Sequence, residues 1–317
     1  MSGEEHKRAS ERPVRTVWRW AFVALPAAGL LELAAHFIQT CAVVPDRDWQ
    51  AARGYVATQV KADDLVAFAP RWSDPIGREQ FGSSLATIFR EARGDDTGFP
   101  RAFEVAIRGA HVASLKGWRR TGERRFGAVT VTTLENPEPV RVVDDLVSEV
   151  NSERLRVTRV DGGRETECTF GHGPFQSGGL GFGTAVPADR FTCSAGGFVG
   201  VSIVEDQDYY PHRCVYAPPL GGNATLRLRF TDVPLGRSLH GHHTLYVEAE
   251  HANKAPVTIT FSVGGQVIGQ AIHRDLEGWK PFEFDTSQFA GSRADVVADI
   301  ASATGERRMY CFQADTR

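Results

Sequence analysis

From Thr225 to Thr316 the chain is a series of short segments in which apolar side chains recur at every second position. In Thr225–Thr231, Leu226, Leu228 and Phe230 alternate with Arg227 and Arg229. In Val257–Val263, Val257, Ile259, Phe261 and Val263 alternate with Thr258, Thr260 and Ser262. A period of two puts one set of side chains on each face of a pleated strand, so each segment predicts a strand with one dry and one wet face. Phe198–Val204, Arg213–Tyr216, Thr244–Glu250, Gln266–His273, Pro281–Asp285, Ala294–Ser302 and Met309–Ala314 read the same way. Gly264-Gly265 between two of them is a tight hairpin signal. Many short strands joined by turns predict a β-sandwich or jelly roll over residues 161–317.

The 317 residues exceed one ordinary core, so a second unit is expected before the sandwich. Asp48–Val56 predicts a helix with Trp49, Ala52, Tyr55 and Val56 on one side. Leu65–Ala69 is a continuous apolar run, as in a strand covered on both faces. Asp74-Pro75 then starts a helix running towards Arg90, with a carboxylate followed by Pro in the favoured order. Phe103–Ile107 and Gly127–Leu134 read as strands, Val140–Val150 as a helix, and Arg154–Val160 as a strand closing the sheet. These elements predict a small α/β layer domain over 45–160, half of a Rossmann-like unit with parallel strands. The expected class is therefore α+β and multidomain.

Residues 20–44 are the most hydrophobic stretch and, with Glu32 and His36 included, reach the roughly 20 residues that span a bilayer. Lys7, Arg8, Arg12, Arg15 and Arg19 precede them, which makes 1–19 a cytoplasmic basic tail and exports the remainder, into the periplasm in a Gram-negative cell. A cleaved signal peptide and a buried amphipathic helix are the alternatives. Ionisable Glu32 and His36 inside lipid would face a membrane-protein partner or a second copy of the chain.

Of five cysteines, Cys168, Cys193, Cys214 and Cys311 lie in the second half, and none forms a CxxC or zinc-type spacing. In an oxidising compartment they allow three pairings, of which Cys168–Cys193 with Cys214–Cys311 is preferred; buried free thiols are the alternative. A net charge of −3 gives no global case for binding nucleic acid.

Two stretches resemble known families. Asp48-Trp49, Tyr55-Val56, Asp63-Asp64-Leu65-Val66 and Ala69-Pro70, within residues 46–82, resemble the extracytoplasmic segment of bacterial dolichyl-phosphate-mannose-type glycosyltransferases. That resemblance implies a cell-envelope setting and carries over no catalytic residue. Gly278-Trp279-Lys280-Pro281-Phe282-Glu283-Phe284-Asp285-Thr286-Ser287, with Ala290-Gly291 and the aliphatic Val296–Ile300, resembles the galactose-binding-like jelly rolls found as carbohydrate-binding modules. It implies neighbouring first and last strands, and so brings Cys214 near Cys311.

For a ligand site, the loop Ala69–Pro75 lies at the carboxyl end of a predicted strand. Arg71 and Arg78 could hold an anion there, and Trp72 could stack on a sugar. His240, His242 and His243, with Trp279, are the sandwich-loop candidates. Adjacent His242 and His243 point to opposite faces of a strand, which argues for hydrogen bonding rather than a metal site. Glu205, Asp206 and Asp208 read as a solvated turn rather than a Ca²⁺ site, and the arginines of 119–125 as a solvated hairpin tip. The glycine-rich stretch 171–183, with Phe182, lacks a phosphate-loop ending and reads as a linker. No Gly-x-Ser-x-Gly or HExxH is present, and no cofactor is implied.

The leading expectation is a membrane-anchored extracytoplasmic protein that binds glycan without cleaving it, as an accessory of envelope polysaccharide or glycoconjugate assembly. One alternative is a hydrolase or transferase whose cleft between the two units holds several acidic groups or a histidine cluster. The other is a protein-interaction scaffold.

Overall fold

The computed structural model describes residues 14–41, 43–86, 94–178, 183–193 and 197–317. The first unit contains α1 (Val14–Cys41), α2 (Asp46–Ala57), β1 (Asp64–Ala69), α3 (Asp74–Phe81), β2 (Arg101–Ile107), β3 (Arg119–Phe126) and β4 (Val129–Glu135). The second begins with β5 (Asp144–Asp145), β6 (Leu155–Asp161), β7 (Arg164–Glu167), β8 (Thr169–His172), β9 (Asp189–Thr192), β10 (Phe198–Glu205) and β11 (Pro211–Tyr216). It continues through β12 (Thr225–Pro234), β13 (Ser238–Leu245), α4 (Val247–Glu250), β14 (Val257–Val263), β15 (Gln266–His273), β16 (Lys280–Asp285), β17 (Arg293–Ala301) and β18 (Tyr310–Thr316).

The first unit is a four-stranded sheet in the order β1-β2-β4-β3. Only β1 and β2 are parallel; β4 runs antiparallel to both β2 and β3. The expected all-parallel, Rossmann-like half is thus corrected to a mixed sheet, because a two-residue turn at Gly127-Ala128 joins β3 to β4 as a hairpin, which only antiparallel strands allow. β1 is buried along its whole length, as its unbroken apolar run requires. One face of the sheet packs Phe68, Phe103, Val105 and Val131 against Trp49, Ala52 and Val56 of α2 and Phe81 of α3. α3 can sit this close because residue 77 is glycine: a Cβ there would lie 2.2 Å from the Phe68 ring. The other face packs Leu65, Ala67 and Ala102 against Leu115. The arginines of 119–125 lie along the edge strand β3 rather than at a hairpin tip, where exposed charge discourages pairing with another chain.

The second unit is a sandwich of a six-stranded sheet, β15-β14-β17-β12-β6-β7, and an eight-stranded one, β16-β13-β18-β11-β10-β9-β8 with β5 beside β18. Their inner faces share one core: Leu226, Leu228 and Phe230 from β12, Ile259 and Phe261 from β14, and Leu239, Val215, Phe312 and Ala314 from the opposite sheet. Each such side chain stabilises the fold by roughly 1.5–3 kcal/mol relative to exposure. On the outer face Arg227 is paired in register with Asp299, to which it donates two bonds of 2.7 and 2.8 Å. The alternating arginines of β12 are thereby cross-strand partners on the wet side.

Five expectations change. Arg154–Val160 is a strand, but it pairs with β12 inside the sandwich rather than closing the first sheet. Val140–Val150 is not a helix: Val143 and Leu146 donate backbone bonds to Thr316 and Ala314, and Asp144–Asp145 adds to β18. His240–His243 lies in β13 and not in a loop, while the strand expected at Thr244–Glu250 breaks into the short helix α4. The membrane span expected over 20–44 is also not met. α1 is 28 residues long and its side chains from Val23 to Phe37 are exposed, but among the described residues no helix is long and apolar enough to cross a membrane. Arg15, Arg19, Glu32 and His36 lie within the helix, and much of the remainder is the weakly apolar Ala, Gly and Pro.

Both preferred disulfides are present. Cys168–Cys193 joins Cα atoms 4.4 Å apart, and Cys214–Cys311 joins Cα atoms 5.8 Å apart on β11 and β18, adjacent strands of the larger sheet. Gly181 and Phe182, read as part of a linker, and the last turns of the helix expected to reach Arg90 lie outside the described residues.

Candidate functional site

A cleft of about 520 Å³ opens where the carboxyl end of β1 meets the outer face of the larger sandwich sheet. Its first wall carries Arg71, Asp74 and Arg78 from the turn and helix after β1. Its second carries Asp206, Tyr210 and His212 from the β10–β11 turn, with His242 of β13 and Trp279. Residues 94–96 and 111–114 line the floor.

The β10–β11 turn is built around Asp206, which is 1% exposed. Its Oδ1 accepts the backbone N–H groups of Asp208 and Tyr210 at 2.9 and 3.0 Å, and its Oδ2 lies 2.8 Å from His212 Nε2. To make these bonds the chain turns through Tyr209 at φ 63°, a conformation costly for a residue with a bulky side chain. Burial alone would raise the Asp206 pKa, but the hydrogen bond and charge of His212 and the two amides outweigh it and hold the carboxyl below its usual range. Burial pushes the His212 pKa down against the pull of that carboxylate, so the imidazole is neutral at pH 7 and donates Nε2–H to Asp206. That tautomer leaves Nδ1 as an acceptor. The ring is 4% exposed, and Nδ1 has no hydrogen-bond partner among the described residues.

Trp279 ties the walls together. Its indole N–H donates to the Gly94 carbonyl at 3.3 Å. The rings of His212 and His242 lie parallel to it, with centroids 4.0 and 5.3 Å away. Burial, reinforced by the neighbouring His240, brings the His242 pKa down to about 4, and its Nδ1 is likewise without a partner among the described residues. Across the cleft Arg78 is 7% exposed; it binds Asp74 at 2.5 Å one helical turn away, yet its Nε–H has no acceptor among the described residues. Arg71 contacts Asp208 at 2.8 Å, with its guanidinium 4.1 Å from the Tyr210 ring centroid, and Tyr210 donates its hydroxyl to the Arg71 carbonyl.

Of the residues singled out in the sequence, Arg71, Arg78, His242 and Trp279 line this cleft. Trp72 does not. It is 56% exposed and lines a neighbouring cavity of about 450 Å³, which shares Arg78 and Tyr210 with the first. His240 sits behind the wall, 3.6 Å from Asp95. His243 belongs to the core: it is fully buried and its Nδ1 lies 2.8 Å from the Tyr310 hydroxyl. Among the described residues no group of three or more His, Cys, Asp or Glu is arranged to hold a metal ion.

Asp206 and His212 were missed as a pair. The sequence signal was an acidic residue, an aromatic turn, and a histidine six positions on, Asp206-Gln-Asp-Tyr-Tyr-Pro-His212. Nothing in that spacing distinguishes a buried pair from a wet turn. The cleft also carries Asp74, Asp95, Asp96 and Asp206 with His212 and His242, which is the condition set above for a catalytic alternative.

The arrangement defines a β-sandwich protein with a polar, aromatic-walled cleft against a small mixed sheet. No protein-family profile matches the chain, and no curated protein matches it. Among solved structures it is similar to the CBM51-2 and INT domains of Clostridium perfringens ZmpB, at 8% identity and a TM-score of 0.26, over 56% of this chain and 40% of that one. It is also similar to the CBM51-2 domain in complex with GlcNAc and INT domains of that protein, at 9% and 0.27, over 66% and 45%. A third, the M60 catalytic domain with CBM51-1 and CBM51-2, matches at 9% and 0.26, over 60% and 21%. The chain thus spans less than half of each, and likenesses this loose carry no argument here.

Proposed function

We propose that the cleft binds a saccharide in an exported protein. The observation that carries this is the composition of one cavity: a half-buried Trp279, two flat imidazoles parallel to it, and buried donors and acceptors left without partners among the described residues. Sugars present apolar ring faces edged by hydroxyl groups that both donate and accept. The aromatic wall of Trp279, His212 and His242 suits the first, and Arg78 Nε–H, His212 Nδ1 and His242 Nδ1 suit the second. The volume lies within the range of small-ligand sites. Two disulfides support an oxidising, extracytoplasmic setting. An accessory part in envelope polysaccharide or glycoconjugate assembly is the finer form of the proposal.

The test is a glycan array on the purified chain, followed by calorimetry with the best ligand. Trp279→Ala should weaken binding at least tenfold while the unfolding transition remains cooperative. Absence of binding to every envelope-type glycan, or an unchanged affinity in Trp279→Ala, would sink the reading.

A further inference from the structure

The Asp206–His212 pair asks for more than binding. His212 lines the cleft, and its buried Nδ1, an acceptor, has no hydrogen-bond partner among the described residues, an arrangement that is costly unless a ligand or water completes it. The imidazole is oriented by a carboxylate whose other oxygen is already saturated by two backbone amides, so neither ring nor carboxylate can turn away. An acceptor oriented in this way is the arrangement of a general base. The same cleft is lined by Arg78, whose buried Nε–H has no acceptor among the described residues and whose guanidinium is fixed by Asp74. A positioned donor facing developing negative charge is how an oxyanion is stabilised.

The carboxylates narrow the reaction. Cleaving a glycosidic bond calls for a pair of carboxyl groups, one of them held protonated as the acid. Here Asp206 is tied to His212, Asp95 to Arg317 at 2.7 Å and Asp74 to Arg78, while Ser114 donates to Asp96. Asp95 is itself held below the usual carboxylate range: burial would raise it, but Thr97 and Arg317 outweigh that. The cleft supplies a base and an oxyanion donor without a ready acid. Ser114, the hydroxyl on the floor, bonds Asp96 rather than an imidazole, so water is the nucleophile that fits.

We infer that the cleft hydrolyses O-acyl esters of its saccharide ligand, with His212 Nδ1 as general base and Arg78 Nε–H as the oxyanion donor; the inference rests on the saccharide reading above. Water gives a proton to Nδ1 as its oxygen bonds the acyl carbon, and the carbonyl electron pair moves onto oxygen beside Arg78. Collapse breaks the ester C–O bond, and the departing sugar oxygen takes the proton back from the imidazolium. The products are the free hydroxyl and a carboxylate, whose proton passes to solvent. Asp206 is a positioning residue that sets the tautomer and supports the transient imidazolium.

The experiment uses the full chain with O-acetylated xylo-, manno- and chito-oligosaccharides and phenyl acetate, reading acetate release, and calorimetry with the deacetylated oligosaccharides. The wild type should release acetate, with kcat/KM falling on an acid limb below pH 6.5. His212→Asn should lower kcat at least 100-fold, well beyond any change in product affinity. Arg78→Lys, which keeps the charge for Asp74 but not the Nε–H, should cost about 100-fold. Asp206→Asn should move the acid limb to lower pH as well as slow the reaction, which a purely structural role would not do. Binding without release overturns this inference and leaves the saccharide reading intact; neither binding nor release overturns both. Release that survives His212→Asn in a folded variant overturns the assignment of the base.

Discussion

The two disulfides close loops of very different length, and that difference predicts a measurable order of stability. Cys168–Cys193 spans 25 positions and Cys214–Cys311 spans 97. In the chain-entropy description a cross-link removes freedom from the unfolded chain in proportion to the logarithm of the loop it closes, about 3.5 kcal/mol for the shorter and about 4.7 kcal/mol for the longer. All four cysteines are buried, so replacing either pair by alanine removes two sulfur atoms from a packed environment and adds a similar cavity cost to each. The difference between the variants therefore includes the full effect of loop length. The expectation is that Cys214→Ala/Cys311→Ala is less stable than Cys168→Ala/Cys193→Ala by about 1 kcal/mol. Position adds to this: Cys311 is in register with Tyr216 where β11 and β18 meet in the middle of the larger sheet, whereas Cys193 follows β9 near its margin. Urea unfolding of the oxidised proteins, followed by tryptophan fluorescence and compared at a common slope, reads the difference directly. Equal midpoints, or the shorter loop proving the costlier to open, would refute the reasoning.

Glu250 is fully buried in α4; its Oε1 lies 2.8 Å from His273 Nε2, and its Oε2 accepts the Leu276 amide at 2.6 Å. Glu250→Ala strands these partners and should cost about 3–5 kcal/mol in denaturant unfolding; a loss below about 1 kcal/mol would show the network to be dispensable. A pH series tests the buried imidazoles: burial holds His242 down to about 4 and His243 down to about 2, from an ordinary 6.5. Their folded pKa values are depressed, so this stability is complete above pH 6.5 and falls as pH drops towards the folded values, by about 1.4 kcal/mol per pH unit for each histidine. Urea midpoints should decline between pH 7 and 5, less so in His242→Gln; a flat profile to pH 5 would contradict burial of neutral rings.

The sandwich was legible because its signal is local. Alternation in β12 and β14 names the buried residues one by one, and Leu226, Leu228, Phe230, Ile259 and Phe261 are where it puts them. What alternation does not encode is the partner. Leu155 and Val157 announce a strand equally well in either sheet, and the choice is made by pairing with β12 seventy residues later. Val140–Val150 carries helix-spaced valines, yet its amides find carbonyls on β18, so tertiary pairing overrides the local period. The site was half legible. Arg78, His242 and Trp279 were found by residue type, but the cleft exists only because β1, β10–β11, β13 and Trp279 converge. The Asp206–His212 bond depends on a left-handed Tyr209 that the sequence does not announce.

β13 shows how one strand serves both packing and site. Its period of two sends His240 and His242 outward and Gly241 and His243 inward. Inside, residue 241 must lack a side chain, because a Cβ would lie 2.2 Å from the Gln313 carbonyl and 2.5 Å from the Phe282 ring. Outside, His240 lies 3.6 Å from Asp95, whose carboxylate also receives Arg317 at 2.7 Å, while Trp279 donates to the adjacent Gly94. The floor segment at 94–97 is therefore held to the sandwich from three side chains, one on β13, one beside β16 and one after β18. A segment clamped this way fixes one side of the cleft that Arg78 and His212 both line. The Asp206–His212 and Asp74–Arg78 pairs likewise hold their side chains in place, which is the preorganisation that selective binding and positioned proton transfer both require.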